Sequence, residues 1–331
     1  MLKILACGPL NTIQDRGRLG ARRLGVGVAG PMDPVSFRIG NILVGNPDDD
    51  AAIEIQTYPF EAEILRAGRF AVTGAGRARL DGILLPAFWS GFVRVGQVLS
   101  IAFGPTGVRS YLCAAGGFDV PHVLGSRSTQ LRGGFGGFQG RELAEGDEIA
   151  IGRPSNPDIL DMPDYGVGLP SVELSSPCNR QETHLIARAV PGAEYALFTP
   201  EARALFWSTP WTITQLSNRT GYRLAGEALS LTGPVEMRSH GVLPGVVQVP
   251  PAGQPIVQMV DGNTVGGYPK IAHVIDADMW RLGQASANQT VRFVWVSYQE
   301  AIAASEEVDA YLDSLRLRLS RFVSATRVAR L

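Results

Sequence analysis

Lysine is almost absent from this sequence. Of its 30 basic residues only Lys3 and Lys270 are lysines, and the others are arginines. Arginine keeps its proton in proteins, whereas the pKa of a lysine shifts readily when the amine is buried. Because nearly every basic residue of this chain is an arginine, the few positions that keep an amine are of interest. One of them, Lys270, lies in a stretch rich in polar residues and glycine.

Cysteine and histidine are also scarce. Cys7, Cys113 and Cys178 are odd in number and widely spaced, no CxxC occurs, and the chain has only four histidines. This pattern favours neither a disulfide framework nor a zinc site. We therefore expect no metal bound by this chain, and a reducing, cytoplasmic setting.

Long apolar runs and a strong net charge are missing. No run reaches eighteen apolar residues, so no membrane-spanning segment is predicted. The apolar start, Met1–Ala6, is too short for a signal peptide and is typical of a first strand. A net charge of −1 provides no basic field for nucleic acid. The chain also lacks the strand–helix alternation around a GxGxxG fingerprint that a dinucleotide fold requires.

What the sequence has in quantity is glycine and proline. With 39 glycines and 22 prolines in 331 residues, many short strands and turns are expected rather than long helices. A faint repeat supports two β domains: Leu112–Phe118 and Met259–Tyr268 each run from an apolar strand into Gly-Gly-aromatic. In both cases an apolar stretch resumes at a histidine, His122 or His273.

The predicted domains follow from shifts in composition. We assign an N-terminal β domain to 1–152, a Pro- and Asp-rich linker to 153–178, and a C-terminal β domain to 179–297. The segment 298–331 is predicted to contain one long amphipathic helix.

Four local predictions can be compared directly with a structure. Asp33 before Pro34 is a good helix start. Gly25–Gly30 is expected to form a strand, and so is Gly91–Ile101. In the C-terminal helix, the apolar periodicity places Ile302 on the inward face.

The stretch Asp261–Lys270 carries the densest set of reactive side chains. It holds an acid, a hydroxyl (Thr264), two adjacent glycines, a phenol (Tyr268) and an amine within ten residues. Adjacent glycines let the backbone approach a ligand where a Cβ would clash. A polar turn between two core strands and one wall of an active site both fit this pattern.

Other polar stretches could join it. Two guanidiniums, Arg219 and Arg223, lie four residues apart beside Asn218 and suit a carboxylate, although a surface salt bridge fits equally well. Ser126, Arg127 and Ser128 suit an oxyanion or a helix cap. Our functional hypothesis is that these residues converge with three more polar side chains on a cleft for a small, anionic molecule. The three are Gln14, Asp15 and Gln248.

Taken together, these stretches resemble the KipA-like, allophanate hydrolase subunit 2-related family. This family is also called the biotin-dependent carboxyltransferase family or the 5-oxoprolinase C-subunit family. The resemblance runs from about residue 3 to about residue 302 and leaves the C-terminal helix outside. The matching segments are Thr12–Arg18, Gly30–Asp33, Asn41–Asn46, Tyr111–Gly117, Gly125–Thr129, Ser217–Leu224, Val247–Pro250 and Thr264–Lys270.

The resemblance implies a mainly β fold of two cyclophilin-like β-barrel domains with a few helices and a C-terminal helix. It implies two partners, a KipI-like (subunit 1-type) protein and a LamB/YcsF-type subunit. The implied activity is the ATP-dependent cleavage of 5-oxoproline to glutamate by the complex, with ATP used by the complex and no cofactor assigned to this chain alone. Alternatives are carboxyl transfer from carboxybiotin, as in urea carboxylase, and non-catalytic antagonism of a KipI-like kinase inhibitor.

The implied site centres on Lys270, which would hold the substrate oxygen, with Asp261 orienting that lysine or acting as base. Gln248, Thr264 and Tyr268 would hydrogen-bond the amide, and Arg219 or Arg223 would bind the carboxylate. The sequence departs from the family pattern at two positions. Asn218 replaces an aspartate, and Gly262 replaces a basic residue.

Overall fold

The computed structural model describes residues 1–105, 107–168, 170 and 184–328. The chain divides into two compact units. The first contains Met1–Arg18, Ala29–Ser175 and Val308–Leu331, and the second contains Leu19–Val28 and Ser176–Glu307. Part of the predicted linker, 171–178, lies outside the described residues.

The first unit is built from two six-stranded sheets. Their orders are β11-β1-β4-β9-β6-β7 and β12-β8-β5-β10-β3-β2. The strands are β1 Leu2–Cys7, β2 Thr12–Gln14, β3 Ala52–Ile55, β4 Phe60–Ile64, β5 Gly68–Gly74, β6 Arg77–Leu80, β7 Ile83–Leu84, β8 Trp89–Val93, β9 Val98–Ala102, β10 Ser110–Ala114, β11 Glu148–Ile149 and β12 Tyr165–Gly166. Strand β4 alternates buried and half-buried residues, as a sheet with one face on the core does.

The second sheet of this unit is covered on its other face by helix α1, Pro34–Leu43, which packs on β5 and β10. Every residue of β10 is buried as a result. The predicted helix start is confirmed, because the Asp33 carboxylate accepts a hydrogen bond from the Ser36 amide at 2.9 Å and Pro34 occupies the first turn.

Two strand predictions were wrong. Gly25–Gly30 is irregular, since it follows a short 3₁₀ turn at Ala21–Leu24 and contains glycines with positive φ at both ends. Gly91–Ile101 is divided between β8 and β9, because a turn in which Gly96 adopts a φ of 83° separates two strands that join different sheets. Further 3₁₀ turns lie at Pro157–Asp161, Tyr195–Leu197 and Asp276–Asp278.

The second unit contains a closed seven-stranded barrel with the order β13-β20-β17-β18-β15-β14-β21. Its strands, with the separate pair β16–β19, are β13 Leu185–Pro191, β14 Trp211–Ile213, β15 Gly221–Ala225, β16 His240–Gly241, β17 Val246–Gln248, β18 Ile256–Gln258, β19 Val265–Gly266, β20 Lys270–Val274 and β21 Thr290–Trp295. Parallel pairing of β13 with β21 closes the barrel. Helices α2, Pro200–Ser208, and α3, Met279–Gly283, complete the unit, and Phe206 of α2 stacks on Phe293 at 4.7 Å.

The C-terminal helix α4 spans Tyr298–Val328. Within the first unit it buries Leu312 and Leu315, and its Asp309 pairs with Arg38 at 2.9 Å. Ile302, predicted to point inward, is 59% exposed. The mainly β fold with a C-terminal helix is confirmed. Among the described helices, none combines the length and apolar character needed to cross a membrane.

Candidate active site

Lys270 opens strand β20 in the second unit and is 5% exposed. The strand on one side of β20 is β13, and Gly192, the residue directly after β13, lies against Lys270. A Cβ at Gly192 would lie 2.3 Å from the Lys270 carbonyl oxygen, so only glycine permits this approach. The close approach brings Glu194, two residues further on, to the lysine.

Glu194 and His240 surround the Lys270 amine. The ammonium nitrogen lies 2.5 Å from His240 Nε2 and 3.7 Å from Glu194 Oε2, and His240 Nε2 lies 3.5 Å from Glu194 Oε1. The Glu194 carboxylate also accepts a hydrogen bond from the Lys270 backbone N–H at 3.0 Å. His240 is held in place by the β16–β19 pair, in which it lies opposite Gly266. The Lys270 amine, the His240 imidazole and the Glu194 carboxylate therefore lie within 3.7 Å of one another.

Burial and the neighbouring carboxylate act on the pKa of Lys270 in opposite directions. Burial lowers the pKa of Lys270, and the Glu194 carboxylate opposes that shift without cancelling it. His240 is half-exposed, and its Nδ1 lies 3.3 Å from the Arg238 carbonyl oxygen. Donation from Nδ1–H to that oxygen leaves Nε2 as the acceptor for the Lys270 ammonium. The imidazole thus connects a buried amine to solvent.

Gln248 lies beside Lys270 and bonds to a second glutamine. Gln248 is the register partner of Lys270 in the β17–β20 pairing, at an irregularity where the register shifts between Val247 and Gln248. Gln258 Nε2 donates to Gln248 Oε1 at 3.1 Å. The other two polar atoms of this glutamine pair, Gln248 Nε2 and Gln258 Oε1, are buried without a hydrogen-bond partner.

Asp261 pairs with Arg219 rather than with the lysine. Its carboxylate oxygens accept from Arg219 Nε at 2.8 Å and from Arg219 Nη2 at 3.1 Å, and its backbone N–H donates to the Arg219 carbonyl. The carboxylate that contacts Lys270 belongs instead to Glu194. This bidentate pair fixes the loop that carries Asp261 to the bend before β15 that carries Arg219.

The remaining predicted residues of this unit differ in their surroundings. The Thr264 carbonyl accepts from Arg22 Nη2 at 3.5 Å and from a backbone amide at 3.0 Å. Tyr268 is 47% exposed. Asn218 and Arg223 are both exposed, and the side-chain oxygen of Asn218 accepts a hydrogen bond from the Thr220 amide. Arg22 therefore brings a half-buried positive charge to the loop that ends at Lys270.

The five residues predicted from the first half of the chain lie in the first unit, where they bond to one another and to the backbone. Asp15 accepts from the hydroxyls of Ser126 and Ser128 at 2.6 and 2.7 Å and from the Arg127 backbone N–H at 2.5 Å. Gln14 Oε1 accepts from the Gly30 N–H. These contacts fasten a loop to strand β2 and engage the polar groups that were expected to bind a ligand.

Three neighbours of this site were missed in the sequence. Glu194 and His240 are distant from Lys270 along the chain. Gln258 lies in an apolar strand, where a single polar residue is typically one that faces solvent. The signal that could have found Gln258 is a lone amide in an otherwise apolar run next to Asp261. In the described part of the chain, no group of three or more His, Cys, Asp or Glu residues is arranged to hold a metal ion.

Comparison with known proteins finds relatives along almost the whole chain. Residues 24–295 match the family model for the carboxyltransferase domain, subdomain A and B. The chain is 43% identical to the C subunit of 5-oxoprolinase from Escherichia coli (strain K12) over 96% of its own length and 99% of that protein. It is 40% identical to the protein of that name from Haemophilus influenzae, over 96% and 98%. The structure of the K. lactis urea amidolyase superimposes with a TM-score of 0.85 at 29% identity, covering 95% of this chain and 20% of that one.

Proposed function

Since this chain belongs to the carboxyltransferase domain family, subdomains A and B, and matches two proteins named as the C subunit of 5-oxoprolinase along almost their whole length, we propose that it is the C subunit of a 5-oxoprolinase. The complex would open the ring of 5-oxoproline to glutamate with hydrolysis of ATP. Water adds across the ring C–N bond, so the carbonyl carbon becomes a carboxylate and the ring nitrogen becomes an amine.

The observation that carries this proposal is the buried Lys270 amine in contact with His240 and Glu194. Ring opening places negative charge on the lactam oxygen in the transition state. A preorganised ammonium in a site shielded from water stabilises that charge more than it stabilises the neutral lactam. Glu194 would orient the amine, and His240 would hold the ammonium by accepting a hydrogen bond from it at Nε2.

The substrate carboxylate needs a cation of its own. Arg219 is engaged by Asp261, so we assign this role to Arg22, whose half-buried guanidinium reaches the Thr264 loop. Tyr268 and Thr264 are expected to line the entrance. We further propose that the chain works in the cytoplasm with a KipI-like protein and a LamB/YcsF-type subunit, and that ATP is used by the assembled complex.

The test is turnover by a reconstituted complex. The three purified subunits should hydrolyse ATP in a 5-oxoproline-dependent manner and release glutamate, and omission of this chain should abolish the release. Glutamate formation by the other two subunits alone would contradict the proposal.

A carboxyltransferase acting on urea is the second candidate, favoured by the family match and by the likeness to the urea amidolyase structure. In that reaction Lys270 would hold the carboxylate of carboxybiotin supplied by another chain. Incubation with carboxybiotin and urea, followed by an assay for allophanate, separates this candidate from the first.

A further inference from the structure

Gln248 and Gln258 form a pair that leaves two polar atoms unsatisfied inside the protein. Their mutual hydrogen bond uses one donor and one acceptor, and the remaining Nε2 of Gln248 and Oε1 of Gln258 are buried without partners. A buried polar atom without a hydrogen bond costs roughly 1–3 kcal/mol. Two such atoms on adjacent side chains mark a place where a bound molecule restores the lost bonds.

The pair leaves one donor and one acceptor unsatisfied in either orientation of the two side-chain amides. If both glutamines were flipped, their mutual bond would persist with its direction reversed. The unsatisfied atoms would then be the oxygen of Gln248 and the nitrogen of Gln258. In either arrangement the pair presents one donor and one acceptor. A carboxylate offers only acceptors and an ammonium only donors, so neither satisfies both atoms.

Glycines keep the space next to these atoms free of side chains. A Cβ at Gly266 would lie 2.3 Å from Gln248 Nε2, and a Cβ at Gly262 would lie 3.0 Å from Gln258 Oε1. Neither glycine has a positive φ, so the backbone conformation itself does not require them. Their lack of a side chain instead allows the loop that leads to Lys270 to pack its backbone this close to the two amide atoms.

We propose that Gln248 and Gln258 together form a clamp for a cis-amide, the N–H and C=O edge of a lactam or a urea, and that Gln258 selects for the N–H. In the arrangement described here, Gln248 Nε2 donates to the ligand carbonyl and Gln258 Oε1 accepts from its N–H. Because Gln248 is the register partner of Lys270, the clamped carbonyl would lie on the strand next to the one that carries the amine. As a specificity element for the lactam this inference rests on the proposed function, but the clamp itself can be tested without turnover.

The experiment compares a lactam with the lactone of the same shape. The full-length chain, labelled with ¹⁵N, is titrated with 2-pyrrolidinone and with γ-butyrolactone, and the side-chain amide signals of Gln248 and Gln258 are followed by NMR. Signals are assigned by their loss in Gln248→Met and Gln258→Met variants. The matched control is Gln130→Met, which alters a glutamine of the first unit that is 7% exposed, as is Gln258.

Wild-type protein and the Gln130→Met control should bind the lactam about tenfold or more tightly than the lactone, since a site built to bond an N–H discriminates against an analogue that lacks it. Gln258→Met should bring that ratio close to one. The ratio of lactam affinity to lactone affinity does not depend on the fraction of protein that is folded. Equal binding of lactam and lactone by the wild type, an unchanged ratio in Gln258→Met, or no lactam binding would each overturn the clamp.

The proposed function is judged separately, by 5-oxoproline turnover in the reconstituted wild-type complex. If the complex turns over 5-oxoproline and Gln258→Met keeps the lactam preference, the proposed function is supported and the clamp is contradicted. A lactam preference that depends on Gln258, in a complex without 5-oxoproline turnover, leaves the clamp standing and removes the function.

Discussion

Glu194 contacts Lys270 twice, through the backbone N–H at 3.0 Å and through the ammonium at 3.7 Å. One carboxylate therefore both fixes the start of strand β20 and holds the charge of the amine. Its two functions can be separated, because glutamine at this position retains an oxygen for the backbone N–H and loses the negative charge.

Glu194→Gln should move the alkaline limit of activity to lower pH. Burial already lowers the pKa of Lys270 from its ordinary 10.5, and the Glu194 charge raises it again. Removing that charge lowers the pKa further, so the amine loses its proton at a lower pH. If the protonated amine stabilises the oxyanion, kcat should fall at that lower pH, as a pH profile of the reconstituted complex would show.

The control for this profile is Glu227→Gln, which alters an exposed glutamate of the same unit. Its profile should match that of the wild type. An alkaline limb that stays in place in Glu194→Gln would mean that Lys270 does not act in its protonated form.

Lys270→Met should lower kcat strongly while the protein stays folded. Methionine fills the apolar part of the lysine site and lacks the ammonium. Removing one preorganised donor to a developing oxyanion costs about 10²–10³-fold in kcat. Lys3→Met, which changes the only other lysine of the chain, should leave kcat unchanged. A Lys270→Met complex with wild-type kcat would remove the lysine from the mechanism.

Asp261 should matter for stability more than for chemistry. Its ion pair with Arg219 is almost buried, and removing one partner of such a pair costs about 3–5 kcal/mol because a charge is left without its counterion. We expect Asp261→Asn to lower the free energy of unfolding by an amount near the lower end of that range, measured by urea denaturation.

A double variant distinguishes the two roles of Asp261. Asp261→Leu combined with Arg219→Met removes both charges and should recover much of the lost stability, since apolar pairs of similar volume replace buried ion pairs well. Turnover that recovers with stability would agree with a structural role. A stable double variant without any turnover would favour Asp261 as the base.

The sequence predicted the strand-rich character, the helix starting at Pro34 and the C-terminal helix from local signals: glycine and proline content, an aspartate cap and a long apolar period. It also drew attention to Lys270, because a single amine stands out among arginines. Glu194 and His240 could not be predicted. They reach Lys270 only through the strand pairing and through Gly192, whose close approach has no signature in one sequence. Asp261 was assigned to Lys270 because the two are near in sequence, but the turn directs its carboxylate to Arg219.

Asp15 provides the last prediction, which concerns the polar residues of the first unit. Its carboxylate accepts four hydrogen bonds, from the hydroxyls of Ser126 and Ser128 and from the backbone amides of Gly17 and Arg127. Truncation removes the acceptor of two buried hydroxyls and of two partly buried amides. We therefore expect Asp15→Ala to lower the free energy of unfolding by about 3 kcal/mol or more. Asp119→Ala, at a carboxylate that is 63% exposed and 3.9 Å from Arg127, should change it by less than about 0.5 kcal/mol.

Urea denaturation measures both values, and KM for 5-oxoproline in the reconstituted complex provides the second readout. If Asp15 holds the loop and not the substrate, the folded variant should keep the wild-type KM. A raised KM with unchanged stability would instead return Asp15 to the substrate site.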